Sequence, residues 1–434
     1  MKTPLRMPRA AVAALTVVAL TACGSGSGSS SDGTVTLSFL MGNDQSTVDT
    51  TKALANAFTQ ANPKIKIKPE VIAGGSEGDN IVKTRLSTGD MADVFWYNPG
   101  SLLQALNPGQ TMVDLTGDPV LKNVKKDYLP VVTQGGKVYG VPAAAAAGGG
   151  ILYNRKVYER LGLKPPTTWA EFMANNDKVK AAGVTPVITT FKDTWTSQVM
   201  VLADYYNVQA AVPTFAQDYT AGKTKFATTP AAVAGFQHLA EIHAKGYMNK
   251  GFGSATNEQG LKMLIEGKGA HYAMLSLTLP PQLASYPQAA TDVGFFGIPG
   301  NDPAKHGATV WEPPALYIAK TTKHLDEAKK FLAFVASPAG TAAVTKAVPP
   351  SGPYRVEGAT LPANALQVAK DLQAYLDRRA TTPALEFLSP VKGPSLEQIT
   401  VAVGSGLTQP VDGAAQYDKD VAKQAKQLGL PGWG

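Results

Sequence analysis

Val35-Thr-Leu-Ser-Phe-Leu-Met41, then Val48 to Gln60, then Ile65-Lys-Ile67 with Val71, is the stretch from which the architecture follows. The first seven residues alternate and are bounded by Gly42 and Asn43, the pattern of a strand. From Val48 to Gln60 the apolar residues Ala53, Leu54, Ala57 and Phe58 recur at helical spacing, and Asn62-Pro63 stops the helix. Ile65, Ile67 and Val71 predict a second strand. A Gly-rich loop (Gly74, Gly75, Gly78) leads to a helix over about Asn80–Ser87, and Val94-Phe-Trp-Tyr97 predicts a short buried strand ending at Asn98-Pro99-Gly100. Strand, helix and strand joined by short loops imply parallel pairing in a doubly wound α/β sheet, with ligands at the carboxyl ends of its strands.

Downstream the chain turns helix-rich. Helices are predicted near 156–161, 169–182, 196–206, 231–245 and 257–266, with short strands at His271–Leu275, Val293–Phe296 and Leu316–Ala319. Thr168 with Glu171 forms a capping box opening the helix to Ala182. At 434 residues the chain holds two or three lobes at about 150 residues each. Its 44% hydrophobic content excludes disorder, and a single cysteine excludes a disulfide framework, a Cys-rich zinc site and an iron–sulfur centre.

The N-terminus is a targeting segment rather than part of the fold. Lys2, Arg6 and Arg9 precede Ala10–Leu20, eleven residues without a charge, which is the layout of a secretory signal. A run that short cannot span about 30 Å of hydrocarbon, which needs about 20 residues. It ends in Leu20-Thr-Ala-Cys23, which resembles the lipobox of bacterial lipoproteins; that resemblance implies cleavage before Cys23 and acylation of its thiol. The alternative is an ordinary signal peptide with an incidental cysteine. Loss of residues 1–22 removes Lys2, Arg6 and Arg9, so the net charge of +7 falls to +4 on 412 residues. A solvated surface accounts for that excess, and no nucleic acid is expected as a partner. Residues 23–33 are a flexible Gly/Ser tether.

Five segments in order carry a resemblance to a known family. Ala57-Phe-Thr-Gln-Ala-Asn-Pro-Lys-Ile-Lys-Ile67, Leu86-Ser-Thr-Gly-Asp-Met-Ala-Asp-Val-Phe-Trp96, and Gly136-Lys-Val-Tyr-Gly-Val-Pro142 with Ile151-Leu-Tyr-Asn-Arg155 are the first three. Thr167-Thr-Trp-Ala-Glu171 and the helix Lys323–Ser337 complete the set. Together they resemble the family-1 extracellular solute-binding proteins, the sugar-binding components of ABC importers. The resemblance covers about residues 34–430. It implies a bilobed periplasmic-binding-protein-like α/β fold, type II-like, with two lobes joined by a hinge. The first lobe then spans 34–141 and the second 142–311, with hinge crossings at 141–151 and 297–311. Residues 312–434 are mixed, returning to the first lobe with the C-terminal helices. In the first crossing, Pro142-Ala-Ala-Ala-Ala-Ala-Gly-Gly-Gly150 is Ala/Gly-only where many relatives are polar or aromatic. It fits either a helical turn ended by glycines or a small-residue crossover strand that lets a ligand or the facing lobe approach closely. Many relatives also carry Gly-x-Trp after a strand where this chain has Leu275-Ser-Leu-Thr278, so that platform is absent or displaced.

Catalytic motifs do not assemble. Gly222-Lys-Thr224 lacks the first glycine of a P-loop, and Ser389-Pro-Val-Lys392 puts proline inside the turn that S-x-x-K needs. His238 and His243 lie about 140° apart round a helix and share no face for a metal. No metal and no cofactor are expected. What remains suits a polyol: aromatic rings for the C–H faces of a sugar, carboxylates and amides for its hydroxyls. Candidates at strand ends and loops are Asn43, Asp44, Glu77, Trp96, Tyr97, Asp193, Trp195, Trp311, Glu312, Tyr354 and Arg355. Asp44 could equally cap a helix, Trp96 could equally be a core residue, and alternation sends Trp96 and Tyr97 to opposite faces, so at most one of them should reach the cleft. Trp195 and Trp311 stand among polar or turn residues, which favours binding over packing; Trp169 is assigned to packing and Trp433 to the tail.

The expected protein is therefore a monomeric, lipid-anchored, non-enzymatic binding protein on the outer face of a bacterial cell membrane. It would close on a mono- or oligosaccharide and deliver it to ABC permease subunits. A surface sugar sensor or adhesion protein of the same fold is an alternative, as is a tethered glycoside hydrolase using Asp193 and Glu312 as paired carboxylates.

Overall fold

The computed structural model describes residues 33–433; the signal segment, Cys23 and all but the last residue of the tether lie outside them. Strands in the first half of the chain are β1 (Val35–Gly42), β2 (Ile65–Ile72), β3 (Val94–Tyr97), β4 (Gly140–Pro142), β5 (Ala147–Asn154) and β6 (Thr185–Ile188). There follow β7 (Gly269–Leu275), β8 (Val293–Phe296), β9 (Ala308–Trp311), β10 (Ala315–Ile318) and β11 (Thr381–Pro383).

β1 pairs in parallel with β2 and β3, as the order of elements requires. The helix Gln45–Ala61 between them buries Thr47, Thr50, Thr51, Leu54, Ala55 and Phe58 along one stripe, and Phe58 meets Phe331 edge-on at 5.1 Å. The next helix begins earlier than the glycines suggest, at Gly75. Gly78 stands in its opening turns, where a Cβ would collide with the Ala73 carbonyl. Two further strands make the sheet mixed: β10 pairs antiparallel with β3, and β4 antiparallel with β10, giving the order β2-β1-β3-β10-β4.

The second sheet is built around β5, all eight residues of which are buried. β7 flanks it on one side; β8 and β9 pair with successive parts of it on the other, all antiparallel, while β6 joins β7 and β11 joins β9 in parallel. The Ala/Gly segment is thus a strand rather than a helical turn. Its glycines are approached by aromatic rings of the neighbouring strands, while Ala144, Ala145 and Ala147 face the space between the lobes. A Cβ on Gly148 would stand 2.7 Å from the Phe295 ring, and one on Gly149 would collide with the Trp311 ring. The helix Trp169–Ala181 opens with the expected capping box. Trp169 is buried, stacked on His238 at 3.7 Å, and donates through Nε1 to Glu241 at 2.8 Å. The single helix expected over 196–206 is broken into Val199–Ala203 and Tyr205–Ala211 at Asp204, whose buried carboxylate accepts from Asn207 Nδ2 at 2.7 Å.

The chain crosses between the sheets three times. It leaves β4 at Pro142 and enters β5 at Ala147; it returns through Glu312-Pro313-Pro314 between β9 and β10. After the first-lobe helices Leu325–Val335 and Pro338–Ala347 it crosses again over 348–366. Beyond it the chain packs chiefly on the second lobe, so the return of 312–434 to the first lobe holds for 315–347 and for the short helix Leu385–Leu388, whose Phe387 packs on the first-lobe core. The helices Leu396–Gly404 and Pro410–Gln427 turn Ile399, Val403, Tyr417 and Val421 onto Phe236 and Val201 of the second lobe. Trp433, expected in a loose tail, is buried there and donates to the Thr220 carbonyl at 2.9 Å. Among the described residues no helix is long and apolar enough to cross a membrane.

Candidate functional site

A cleft of about 830 Å³ separates the lobes, within the range of ligand sites. Its first-lobe wall is formed where β1 and β3 end and the helices Gln45–Ala61 and Gly75–Thr88 begin. Ala144, Ala145, Pro313 and Pro314 of the crossings form its back, and Trp311, Leu277, Pro280 and Pro281 its second-lobe face.

Six of the candidate residues line this space: Asp44, Trp96, Tyr97, Trp311, Glu312 and Tyr354. Asp44 is both a cap and a wall residue. One carboxylate oxygen takes the Thr47 N–H at 2.9 Å, while the exposed side chain stands on the cleft. Trp96 and Tyr97 both reach the cleft, where alternation allowed one. The cleft runs past the end of β3 rather than across one face of the sheet, so the last two residues of the strand flank it together. Trp96 is half-buried; Tyr97 is 5% exposed, and its hydroxyl has no hydrogen-bond partner. Burial first, and then the nearby Asp79 carboxylate, push the Tyr97 pKa up, so the phenol stays protonated and able to donate. Asp79 acts on it electrostatically without meeting hydrogen-bond geometry. On the opposite wall Trp311 ends β9, half-buried, its ring laid over Gly149. The Tyr354 hydroxyl is engaged by Thr345 Oγ1 at 2.6 Å, leaving its ring to the cleft.

Glu312 reaches the cleft from the second crossing, but its charge is already spoken for. Arg355 donates Nε to Oε2 at 2.7 Å and Nη2 to Oε1 at 2.5 Å, with the two side chains 4% and 1% exposed. Burial raises the Glu312 pKa and the guanidinium opposes it. Arg355 itself lies behind the wall and also reaches Asp127 at 3.0 Å. This pair ties the second crossing to the third. Tyr128 adds a bond from its hydroxyl to the Pro313 carbonyl at 3.0 Å, and Ala146 N–H donates to Pro353 O at 2.8 Å, binding the first crossing to the third as well.

The remaining candidates do not reach the cleft lining. Asn43 and Glu77 are exposed beside it, next to lining residues Gly42, Asp44 and Gly78. Asp193 instead receives the backbone N–H of Asn257 at 2.6 Å, at the start of the helix Asn257–Ile265. Trp195 is half-buried between two apolar clusters of the second lobe. The carboxylate pair of a hydrolase is therefore not assembled: Asp193 is outside the cleft and both oxygens of Glu312 are held by Arg355. Conversely, Asp49, Asp79, Leu277 and Phe387 line the cleft without having been singled out. Asp79 had a signal, one residue beyond a glycine loop at a strand's carboxyl side. Phe387 had none, since it arrives from the far end of the chain. Leu277, 47% exposed, occupies the loop where relatives carry the Gly-x-Trp platform, and Trp311 is the second-lobe tryptophan in the cleft.

The profile of bacterial extracellular solute-binding proteins matches residues 44–342. The multiple sugar-binding protein of Streptococcus mutans is 28% identical over 335 residues, spanning 75% of this chain and 76% of the relative. The melibiose/raffinose/stachyose-binding protein MelE of Bacillus subtilis is 26% identical over 348 residues, spanning 76% and 77%. Among solved structures, a chitin oligosaccharide binding protein superposes with a TM-score of 0.74 at 20% identity, covering 91% of this chain and 99% of its own. Apo RafE from Streptococcus pneumoniae gives 0.74 at 23% identity, covering 90% and 98%. These two likenesses show the bilobed fold. The profile match starts at Asp44, the cap on the cleft's first-lobe wall, and runs through two of the three crossings, so this chain belongs to the bacterial extracellular solute-binding proteins.

Proposed function

We propose that this protein captures a mono- or oligosaccharide between its lobes and hands it to the permease of an ABC importer. The observation that carries the reading is the pairing of Trp96 and Trp311 on opposite walls of one cleft, with Asp44, Asp79 and the unpartnered Tyr97 hydroxyl beside them. Two ring faces held apart by a hinge suit the apolar faces of a pyranose, and the polar groups suit its hydroxyls. Relatives that bear sugar-binding names support the ligand class. The protein is a binder and not an enzyme, as its family is. Ligand energy would shift the population toward a closed form, which docks on the permease as a monomer while separate ATPase subunits supply hydrolysis. The lipobox resemblance at Cys23 supports a lipid anchor on the outer face of the membrane.

Titration of the purified mature protein with neutral mono- and oligosaccharides, followed by tryptophan fluorescence and thermal shift, tests the reading. Saturable binding at about micromolar Kd or tighter, with the sugar recovered unchanged, is expected. Silence across the panel, or product formation, overturns it. Separately, Cys23→Ser should release the protein from membranes into the medium; retention would defeat the anchor.

A further inference from the structure

The charged residues that line the cleft are all acidic. They are Asp44, Asp49, Asp79, Glu312 and Glu386; among the described residues no Lys, Arg or His joins them. Two of the five are neutralised from behind the wall, Glu312 by Arg355 and Glu386 by Lys392 at 2.7 Å. The other three form no ion pair. Asp49 takes the neutral Gln45 amide at 2.9 Å and Asp44 a backbone N–H, while Asp79 stands beside the Tyr97 hydroxyl. All three stand on the first-lobe wall, on the same side as Trp96.

The helix starting at Gln45 could in principle welcome an anion at its N-terminus. Here Asp44 already places a carboxylate there, which takes the Thr47 N–H and reverses the sign that an incoming ligand meets. The second helix at this wall carries Glu77 and Asp79 in its opening turns. Tyr97, buried and lining the same wall, stays protonated, and its hydroxyl, without a hydrogen-bond partner among the described residues, can donate to a sugar hydroxyl or ring oxygen. The wall thus offers a donor for a sugar oxygen and uncompensated negative charge for whatever substituent comes with it.

We propose that the cleft is charge-selective: it takes saccharides that are neutral or carry an ammonium group, gains affinity from the ammonium, and excludes uronates and phosphorylated sugars. This rests on the cleft being the saccharide site. An entering carboxylate loses hydration and meets three carboxylates with no cation to pair with. An ammonium at the same place exchanges water for charge-assisted hydrogen bonds to Asp79 or Asp49.

The test uses the mature protein and sugars matched in size. Calorimetric titrations of raffinose, maltotriose and N,N′,N″-triacetylchitotriose establish whether a neutral sugar binds, and failure of all three counts against the cleft as a saccharide site. The sugar that binds is then compared with its 6-amino-6-deoxy and C6-carboxylate forms. The amine is expected to bind at least about tenfold more tightly than the carboxylate at about 0.02 M salt, with the gap narrowing at about 0.5 M. Asp79→Asn and Asp49→Asn should each shrink that ratio, whatever they do to the parent sugar. A ratio within about twofold of unity, a preference for the carboxylate, or loss of both derivatives beside a binding parent overturns charge selection while leaving the saccharide site standing.

Discussion

Gly149 and Trp311 are two halves of one local device. The glycine sits on a fully buried strand where any side chain would occupy the space of the indole, so the ring packs directly against backbone while Trp311 lines the cleft. Gly149→Ala should therefore weaken sugar binding by about tenfold although residue 149 lines nothing, because the ring must tilt. Trp311→Ala should cost about as much or more. Trp195→Ala tests the opposite case: packed between apolar clusters and away from the lining, it should leave affinity within about twofold while costing about 2–4 kcal/mol of stability. Titration together with denaturant unfolding of the three variants decides; loss of affinity in the Trp195 variant with unchanged stability would return that residue to the binding surface. The sequence context of the two tryptophans is alike, polar and turn-rich, which is why composition alone could not separate them.

At the scale of elements, the helix break at Asp204 has a titration signature. Burial raises its pKa from 3.8 to about 8, and its second carboxylate oxygen has no partner. The folded state then holds this proton where the unfolded chain has lost it, so stability falls as pH rises from about 4 to about 8 and levels off above. His238 and His271, lowered by burial from 6.5 to about 3, act the other way, but only below about pH 6.5, where the unfolded chain takes up protons that the fold refuses. Between about pH 7 and 8 Asp204 contributes a slope of about 1 kcal/mol per pH unit, because it is losing its proton across that interval. Asp204→Asn should remove it, read as the difference between wild-type and variant unfolding free energies across that window; a constant difference would mean that the carboxyl titrates normally. Nothing in Thr196–Tyr206 announced this break, because an apolar-rich run reads as helix whether or not an aspartate is buried within it. The first-lobe strands and the Thr168 capping box were legible because their signals are local: alternation, a cap and a stop within a few residues. The antiparallel strands β4 and β10 were not legible as such, since they join residues more than 170 positions apart, and pairing at that distance leaves no periodic trace. The same distance hid Phe387 from the cleft, whereas Trp96, Tyr97 and Asp44 were found because strand ends are where such folds place ligands.

On the scale of the whole molecule, a buried ion pair holds the second crossing to the third, and a backbone hydrogen bond holds the first to the third. Arg355→Met would leave the Glu312 carboxylate buried without a partner, and should cost about 3–5 kcal/mol. Adding Glu312→Gln to it should recover a large part of that loss. Chemical denaturation of both variants checks this; a single-variant loss below about 1 kcal/mol would mean that water reaches Glu312. The third crossing has a different kind of consequence. The second lobe receives its edge strand β11 from residues 381–383 and its covering helices from beyond residue 396, whereas its central strand is made near residue 150. A chain emerging residue by residue can finish neither lobe in passing. The first must wait for β10, and the second for a strand more than 200 residues behind its centre. Local contacts come early and the closing ones last, so folding is slow by topology. For a chain exported unfolded, as the proposed signal segment would require, this delay is an asset, since the fold cannot lock before the chain has left the ribosome.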